Sequence, residues 1–553
     1  MDWTTACPDW EERVVGRRSL IPFEPLFPGE AAAALAVMDQ LRIVDMPGGP
    51  TFGEISRPWV REFVGSVFGA YDPEQGRRLV REWMLSISKK NTKSTTAGLL
   101  MLTFLIRNWR RAGEFGILAP TVEVANNAFK PAADAVKADE ELSALFHVQD
   151  HIRTITHRQT RATLQVVAAD SETVAGKKWI VTLIDELWLF GKRPNAEDML
   201  REATGGMASR PEGCVIWLST QSNDPPAGVF RQKLQYARGV RAGRIVDKQF
   251  CPVIYEFPES MIKSGAHRDP ANFYITNPNL GASVDVEYLN REFAKAQESG
   301  EESMRGFLAK HLNVEIGLAL MSDRWSGADF WERQGTAGLT LDEVIRRSEV
   351  VTVGIDGGGL DDLLGLAVLG RDARTHDWLH WGHAWAHPSV LERRKSDAGR
   401  FTDFERDGDM TLVRQIGQDV QAVAEIISTV YGAGKLDKIG VDPHGLGGIL
   451  DALVDAGIPQ ELVVGISQGW KLTGAIKTTE RKLAEGTLHH GDRPLMSWSV
   501  GNARVEPRGN AVMITKQAAG FAKIDPLMAL FSAVSLMSLN PQANTHDGEI
   551  TFV

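Results

Sequence analysis

Trp179-Ile180-Val181-Thr182-Leu183-Ile184-Asp185-Glu186 is a mostly apolar, β-prone run that stops on two adjacent carboxylates. A second run of the same design lies in the other half of the chain. It is Val351-Thr352-Val353-Gly354-Ile355-Asp356, and Gly357, Gly358 and Gly359 follow it. Apolar runs of this length fit buried strands. An acid at the end of such a strand is held rigidly at a sheet edge, where it can grip Mg²⁺. One site of this kind points to nucleotide hydrolysis. A second, with acidic partners further on, points to metal-dependent chemistry on a phosphodiester.

Outward from the first run, apolar strands alternate with amphipathic helices between residues 61 and 220. Strands are predicted at Phe115–Ala119, Ala162–Ala168, Trp179–Ile184 and Val215–Ser219, with helices at Thr95–Arg111 and Val122–Lys137. This alternation implies an α/β domain with a mainly parallel sheet. Residues 1–60, rich in turns and proline, form a lead-in segment with one helical run near Ala31–Leu41. Residues 221–345 are less regular and are expected to be a lid and connector. A second α/β domain is expected over 346–553. It opens with a hairpin of Val351–Ile355 and Leu364–Leu369, continues with a strand at Lys438–Asp442, and closes with a helix at Ile524–Met537.

A chain of 553 residues is too long for a single core. Its net charge of −10 supplies no global basic field, so any contact with nucleic acid must use local patches. Candidates are Arg107, Arg110 and Arg111; Arg231, Lys233, Arg238, Arg241 and Arg244; and Arg393-Arg394-Lys395. Cys7, Cys214 and Cys251 are scattered, with neither a metal-binding spacing nor a disulfide framework, which suits a reducing cytoplasm. The apolar stretch Ala97–Ile106 is too short to span a bilayer, and no membrane association is expected. His380, His383 and His387 are read as loop or core residues.

Two sets of residues carry the chemistry. Ser88-Lys89-Lys90-Asn91-Thr92-Lys93-Ser94-Thr95 follows the apolar run Trp83–Ile87 and opens a helix, the place for a phosphate loop. Lys93 would reach the β- and γ-phosphates and Ser94 would reach Mg²⁺. The usual pattern has glycines six residues and one residue before the lysine; here Ile87 and Thr92 stand there. Asp185 can support Mg²⁺ and Glu186 can polarise the attacking water. Ser219 and Thr220 end the next strand, where a γ-phosphate sensor or coupling motif belongs. In the second half, Asp356 ends a strand, Asp442 ends a later one and Asp525 begins a late helix. Asp362 or the adjacent Asp361 is a further candidate. That order of acids matches ribonuclease H-like nucleases, whose carboxylates hold two metal ions roughly 4 Å apart.

Together these residues resemble the large terminase subunit of tailed bacteriophages. The resemblance runs from about Ile55 to Met537. Supporting stretches are Ile55-Ser56-Arg57-Pro58-Trp59, Gly486-Thr487-Leu488-His489-His490 and Lys523-Ile524-Asp525-Pro526, and the later ones look most like the branch that includes the HK97-type phages. The resemblance implies a P-loop ATPase of the additional-strand, catalytic-glutamate (ASCE) type followed by a ribonuclease H-like nuclease. It implies Lys93 and Ser94 as phosphate and Mg²⁺ binders, Asp185 as Mg²⁺ support and Glu186 as catalytic glutamate. It implies Asp356, Asp442 and Asp525 as nuclease ligands, with Asp362 beside them. ATP and Mg²⁺ are the expected cofactors, with Mn²⁺ also supporting the nuclease.

Its implied partners are double-stranded DNA, a portal protein, a small terminase subunit and further copies of the chain in a ring. The implied location is the host cytoplasm, with transient docking on the procapsid. Family members often carry an arginine early in the phosphate loop. Lys89 and Lys90 stand there instead and do not replace a planar guanidinium, so an arginine finger is expected from elsewhere. The rival reading is a helicase-like nucleic-acid ATPase whose C-terminal half binds without cutting.

Overall fold

The computed structural model describes residues 2–169, 174, 176–193, 195–317, 325–359, 362–394, 397–443, 447–508, 511–514 and 523–543. The chain divides into two compact units, Met1–Ile316 and Gly317–Val553.

In the first unit the described residues form an eight-stranded sheet. Its strands are β1 (Glu82–Ser86), β2 (Glu114–Ala119), β3 (Phe146–Gln149), β4 (Thr154–His157), β5 (Thr163–Ala168), β6 (Trp179–Ile184), β7 (Cys214–Ser219) and β8 (Phe250–Ile254). Their order across the sheet is β8-β1-β7-β6-β2-β5-β4-β3. The pairs from β8 to β5 are parallel, and the last two are antiparallel. β7 is thus inserted between β1, which leads into the phosphate loop, and β6, which ends in Asp185-Glu186. That insertion is the additional strand of the expected class.

Strands β6 and β7 are buried along their whole length, as a parallel sheet covered on both faces requires. Helix α1 (Lys93–Ile106) is apolar on most sides and correspondingly buried. Gly98 lets α2 (Val122–Lys137) approach: a Cβ there would lie 2.1 Å from the Ala128 carbonyl oxygen.

The stretch expected as one connector, 221–345, divides between the two units. Helix Gly228–Arg241 buries Phe230, Leu234 and Val240 in the first core, and β8 pairs with β1 at the sheet edge. Pro252 masks β8 in the sequence, because proline removes a ladder donor; an edge strand tolerates that loss. The lead-in residues are also part of this unit. The Cys7 N–H donates to the Arg241 carbonyl at 2.8 Å, and the Arg241 guanidinium lies 3.7 Å from the centre of the Trp10 ring.

In the second unit β9 (Ser348–Gly357), β10 (Leu364–Asp372) and β11 (Trp378–Ala386) form an antiparallel meander. On the far side of β9 lie β12 (Leu436–Val441) and then β13 (Val463–Gly465), both parallel to their neighbours. The order β11-β10-β9-β12-β13 is that of a ribonuclease H-like sheet. Strand β11 contains His380 and His383. His380 is buried in it, and His383 stacks on Trp381 with ring centres 5.8 Å apart. Helix α3 (Asp525–Met537) is buried along almost its whole length against β9, β10 and β12. No helix among the described residues is long and apolar enough to cross a membrane.

Candidate functional site

The phosphate loop does without glycine by adopting glycine's backbone. Lys90 has φ 72° and Thr92 has φ 57°, both left-handed. That region costs an L-residue roughly 1–2 kcal/mol. Thr92 is the position where the usual motif has glycine just before the lysine.

Side chains from the 277–283 segment hold the turn in place. Asn91 is buried; its Nδ2 donates to the Ser88 carbonyl at 3.1 Å and to Asn277 Oδ1 at 2.9 Å. The Asn279 N–H donates to Asn91 Oδ1 at 3.1 Å, and Asn279 Nδ2 donates to Thr92 Oγ1 at 3.1 Å. Ser283 Oγ donates to the Lys90 carbonyl at 2.7 Å. Asn277, Asn279 and Ser283 were not legible as site residues. The only local trace was Asn277-Pro278-Asn279 in a stretch without periodicity.

Lys93, 7% exposed, opens α1 and places Nζ 2.8 Å from Glu186 Oε1 and 3.9 Å from Asp185 Oδ1. The loop, Ser94, Thr95 and Glu186 line a cavity of about 890 Å³. Asp185 is fully buried at the end of β6. Its Oδ1 accepts the Glu186 N–H at 2.9 Å, and its Oδ2 accepts no hydrogen bond. Burial pushes the Asp185 carboxyl up to about 6, against the pull of Lys93; neighbouring Glu186 raises it further and the Ser94 hydroxyl lowers it. An orphaned carboxylate oxygen beside a serine hydroxyl fits the Mg²⁺ of a nucleotide. Burial would also raise Glu186, but Lys93, the Trp188 N–H and Lys310 together hold it below the usual carboxylate range. Glu186 sits at φ 52° and accepts the Trp188 indole N–H on Oε2. The Trp188 backbone N–H donates to Ser219 Oγ at 3.1 Å, joining the Glu186 turn to the end of β7. Thr220 follows, buried, with Oγ1 lacking a hydrogen-bond partner.

In the second unit the register pairs Ile355 of β9 with Val441 of β12, so Asp356 and Asp442 end adjacent parallel strands side by side. Strand spacing puts such neighbours roughly 4.8 Å apart. Asp356 also faces Gly365 of β10.

Glycines bring α3 onto this sheet. A Cβ on Gly354 would be 1.9 Å from the Ala529 carbonyl oxygen, and one on Gly365 would be 2.8 Å from the backbone of Asp525. Thr352 Oγ1 donates to the Ala533 carbonyl at 3.0 Å. Asp525, fully buried, begins α3, and its Oδ1 lies 3.2 Å from where a Cβ on Gly357 would stand; Gly357 has φ 93°. Asp362 is close by in sequence and pairs through Oδ1 with Lys523 Nζ at 2.5 Å. Asp361 lies outside the described residues.

Three aspartates at one sheet edge are the hard oxygen donors that Mg²⁺ or Mn²⁺ takes, and Gly357, without a side chain, lets the Leu363 carbonyl and Asp525 approach closely. Among the described residues, no group of three or more His, Cys, Asp or Glu is drawn close enough to enclose an ion.

Among the described residues, five of the eleven basic residues considered for DNA contact are held in ion pairs within the fold. Arg107 pairs with Glu30 at 2.6 Å, Arg110 with Glu212 at 2.6 Å, Lys233 with Glu82 at 3.1 Å and Arg241 with Glu256 at 2.6 Å; Arg238 also pairs with Glu256. Arg393 ends a short helix, Ser389–Arg393, and Lys395 lies outside the described residues.

The family model for the terminase large subunit, ATPase domain, matches residues 58–239. The model for the terminase large subunit, endonuclease domain, matches residues 247–539. A curated relative, Protein YmfN of Escherichia coli (strain K12), is 22% identical over 350 residues, which are 62% of this chain and 74% of that protein. The HK97 bacteriophage large terminase is similar at 20% identity and a TM-score of 0.48, covering 92% of this chain and 99% of that one. The large terminase of a thermophilic bacteriophage is similar at 12% identity and a TM-score of 0.30, covering 84% and 95%. With one matched domain following the other along most of its length, the chain belongs to the terminase large subunit family and carries both its ATPase and its endonuclease domain.

Proposed function

We propose that this chain is a phage DNA-packaging motor that translocates double-stranded DNA into a procapsid by ATP hydrolysis and cuts concatemeric DNA with a metal-dependent nuclease. The observation that carries the motor is the meeting of Lys93 with buried Asp185 and with Glu186, where Lys93 and Glu186 line one cavity with the phosphate loop. A bound triphosphate competes with Glu186 for Lys93. Once its partner is taken, the Glu186 carboxylate is available to orient water and accept its proton. Ser94 and Asp185 would hold the Mg²⁺ of the nucleotide. Ser219 passes the change to the end of β7 through its contact with Trp188.

For the nuclease, the support is Asp356 and Asp442 on adjacent strand ends, with Asp525 brought to the same edge by α3. Divalent ions on these carboxylates, with Asp362 beside them, would supply an activated water and neutralise charge on the leaving oxygen. The chain's own residues orient the donors: the glycine-lined strands fix α3, and Lys523 steers Asp362. The reading includes a portal protein, a small terminase subunit and a ring of copies as partners, and the host cytoplasm as location.

The test is DNA-stimulated ATP hydrolysis and plasmid cutting in Mg²⁺ and Mn²⁺. Glu186→Gln should lower hydrolysis by about 10²–10⁴-fold and leave cutting intact. Asp356→Ala should abolish cutting and leave hydrolysis intact. Undiminished cutting by Asp356→Ala would sink the nuclease assignment.

A further inference from the structure

Lys310 is a buried lysine, 8% exposed, at the end of α-helix Glu301–His311, in a stretch the sequence marked only as connector. No carboxylate lies within ion-pair distance of its ammonium among the described residues. A buried charge without a partner of opposite sign is costly, and such groups concentrate at functional sites.

Lys310 touches the three parts of the nucleotide site. Its carbonyl accepts the N–H of Lys89 in the phosphate loop at 2.8 Å. Its Nζ donates to the Gln221 carbonyl just beyond β7 at 2.7 Å, while the Gln221 N–H donates to Asn313 Oδ1 at 2.9 Å. The same Nζ sits 3.1 Å from the centre of the Trp188 ring, whose indole N–H is donated to Glu186. A cation on an indole face is attracted by the ring and strengthens the ring's N–H as a donor.

We propose that Lys310 is a positioning residue of the ATPase: acting through Trp188, it holds the Glu186 carboxylate in place when a nucleotide draws Lys93 away. The proposal rests on the nucleotide site described above. Lys93 and Trp188 both hold Glu186. Phosphates that take Lys93 leave the Trp188 N–H, backed by Lys310, as the remaining anchor. Because Lys310 also grips the end of β7 and the phosphate loop, displacement of its helix would loosen Glu186 and the coupling strand together. This gives the 301–311 helix direct control over hydrolysis.

Steady-state ATP hydrolysis by the full chain tests this, with Lys310→Met, Lys310→Arg, Trp188→Phe, the Lys310→Met/Trp188→Phe double variant and Glu186→Gln in parallel. An inactive parent, or an active Glu186→Gln, would overturn the nucleotide site itself. With the parent active and Glu186→Gln dead, Lys310→Met should lose about tenfold or more in kcat with KM for ATP within about twofold, as misplacement of a catalytic group does. Lys310→Arg should recover most of that loss. Trp188→Phe, which keeps a ring and loses the N–H, should show the same kcat-only defect, and the double variant should be no worse than the more damaged single variant. An unchanged kcat in Lys310→Met, a defect confined to KM, or no recovery with arginine would overturn the proposal. If Lys310→Met fails to fold, Trp188→Phe decides: a kcat equal to the parent's would overturn it.

Discussion

Among single residues, those of the phosphate loop show how one stretch can lack its expected glycines and keep its expected shape. Thr92 and Lys90 adopt the left-handed backbone that glycine adopts at no steric cost. The loop keeps this conformation because Asn277, Asn279 and Ser283 over-determine it with hydrogen bonds. Asn277→Ala removes a bond to Asn91 and a second to the His311 carbonyl, which Asn277 Nδ2 reaches at 2.8 Å. Leaving those buried groups unpaired costs about 1–3 kcal/mol. The expected outcome is a lower melting temperature of the first unit and weaker nucleotide binding, read by calorimetry. Unaltered nucleotide affinity would mean that the asparagine belt does not shape the loop.

Among the helices and strands, the placing of Asp525 beside Asp356 and Asp442 depends on how closely α3 lies on its sheet. Gly354→Ala drives a methyl into the Ala529 carbonyl, so the helix must lift or slide. Overpacking of this kind costs about 1–3 kcal/mol or more, and it carries Asp525 away from Asp356. Thermal melts should show a destabilised second unit, and plasmid cutting should fall in proportion more than stability. Gly432→Ala is the control: a Cβ there meets nothing within 4 Å, and the position is helical. It should melt at the parent's temperature or slightly above. If Gly354→Ala behaves like this control, close packing of α3 is not what assembles the site.

For the molecule as a whole, the division at Ile316 and Gly317 predicts that residues 1–316 and 317–553 fold as separate pieces, each with its own cooperative melt. The two should differ in acid. In the second unit burial holds His380 down to about 3 and His383 and His490 down to about 4. His490 stacks on Trp331, with ring centres 3.9 Å apart, and pairs with the Trp331 carbonyl at 2.8 Å. These rings stay neutral in the fold while the unfolded chain takes up protons below its ordinary histidine range. The unfolded state therefore binds more protons between pH 6.5 and about 3, so stability falls as pH drops through that window, for His383 and His490 down to about 4 and for His380 down to about 3. The loss for the fully buried rings is on the order of a few kcal/mol. Tryptophan fluorescence of the 317–553 piece, melted at pH 7 and pH 4.5, checks this; equal melting temperatures would refute it.

The order of residues along the chain was enough to specify two α/β domains, their succession and the acids at their strand ends. Strand periodicity and a terminal carboxylate are local properties, readable without knowing what lies across the sheet. Asp185-Glu186, Asp356 and Asp442 were legible for that reason, and so was the helix that begins at Asp525. What makes those positions usable came from tertiary packing alone. Asn277 meets Asn91 across 186 residues, and Lys523 meets Asp362 across 161. Lys310 reaches Trp188 from a helix that looked like a connector, and β8 hides behind Pro252 at a sheet edge. No periodicity records such pairings, because they arise when backbone hydrogen bonding and apolar burial bring distant segments together. The sequence therefore named the strand-end acids and the lysine turn, and the packing of remote segments set the geometry in which they meet.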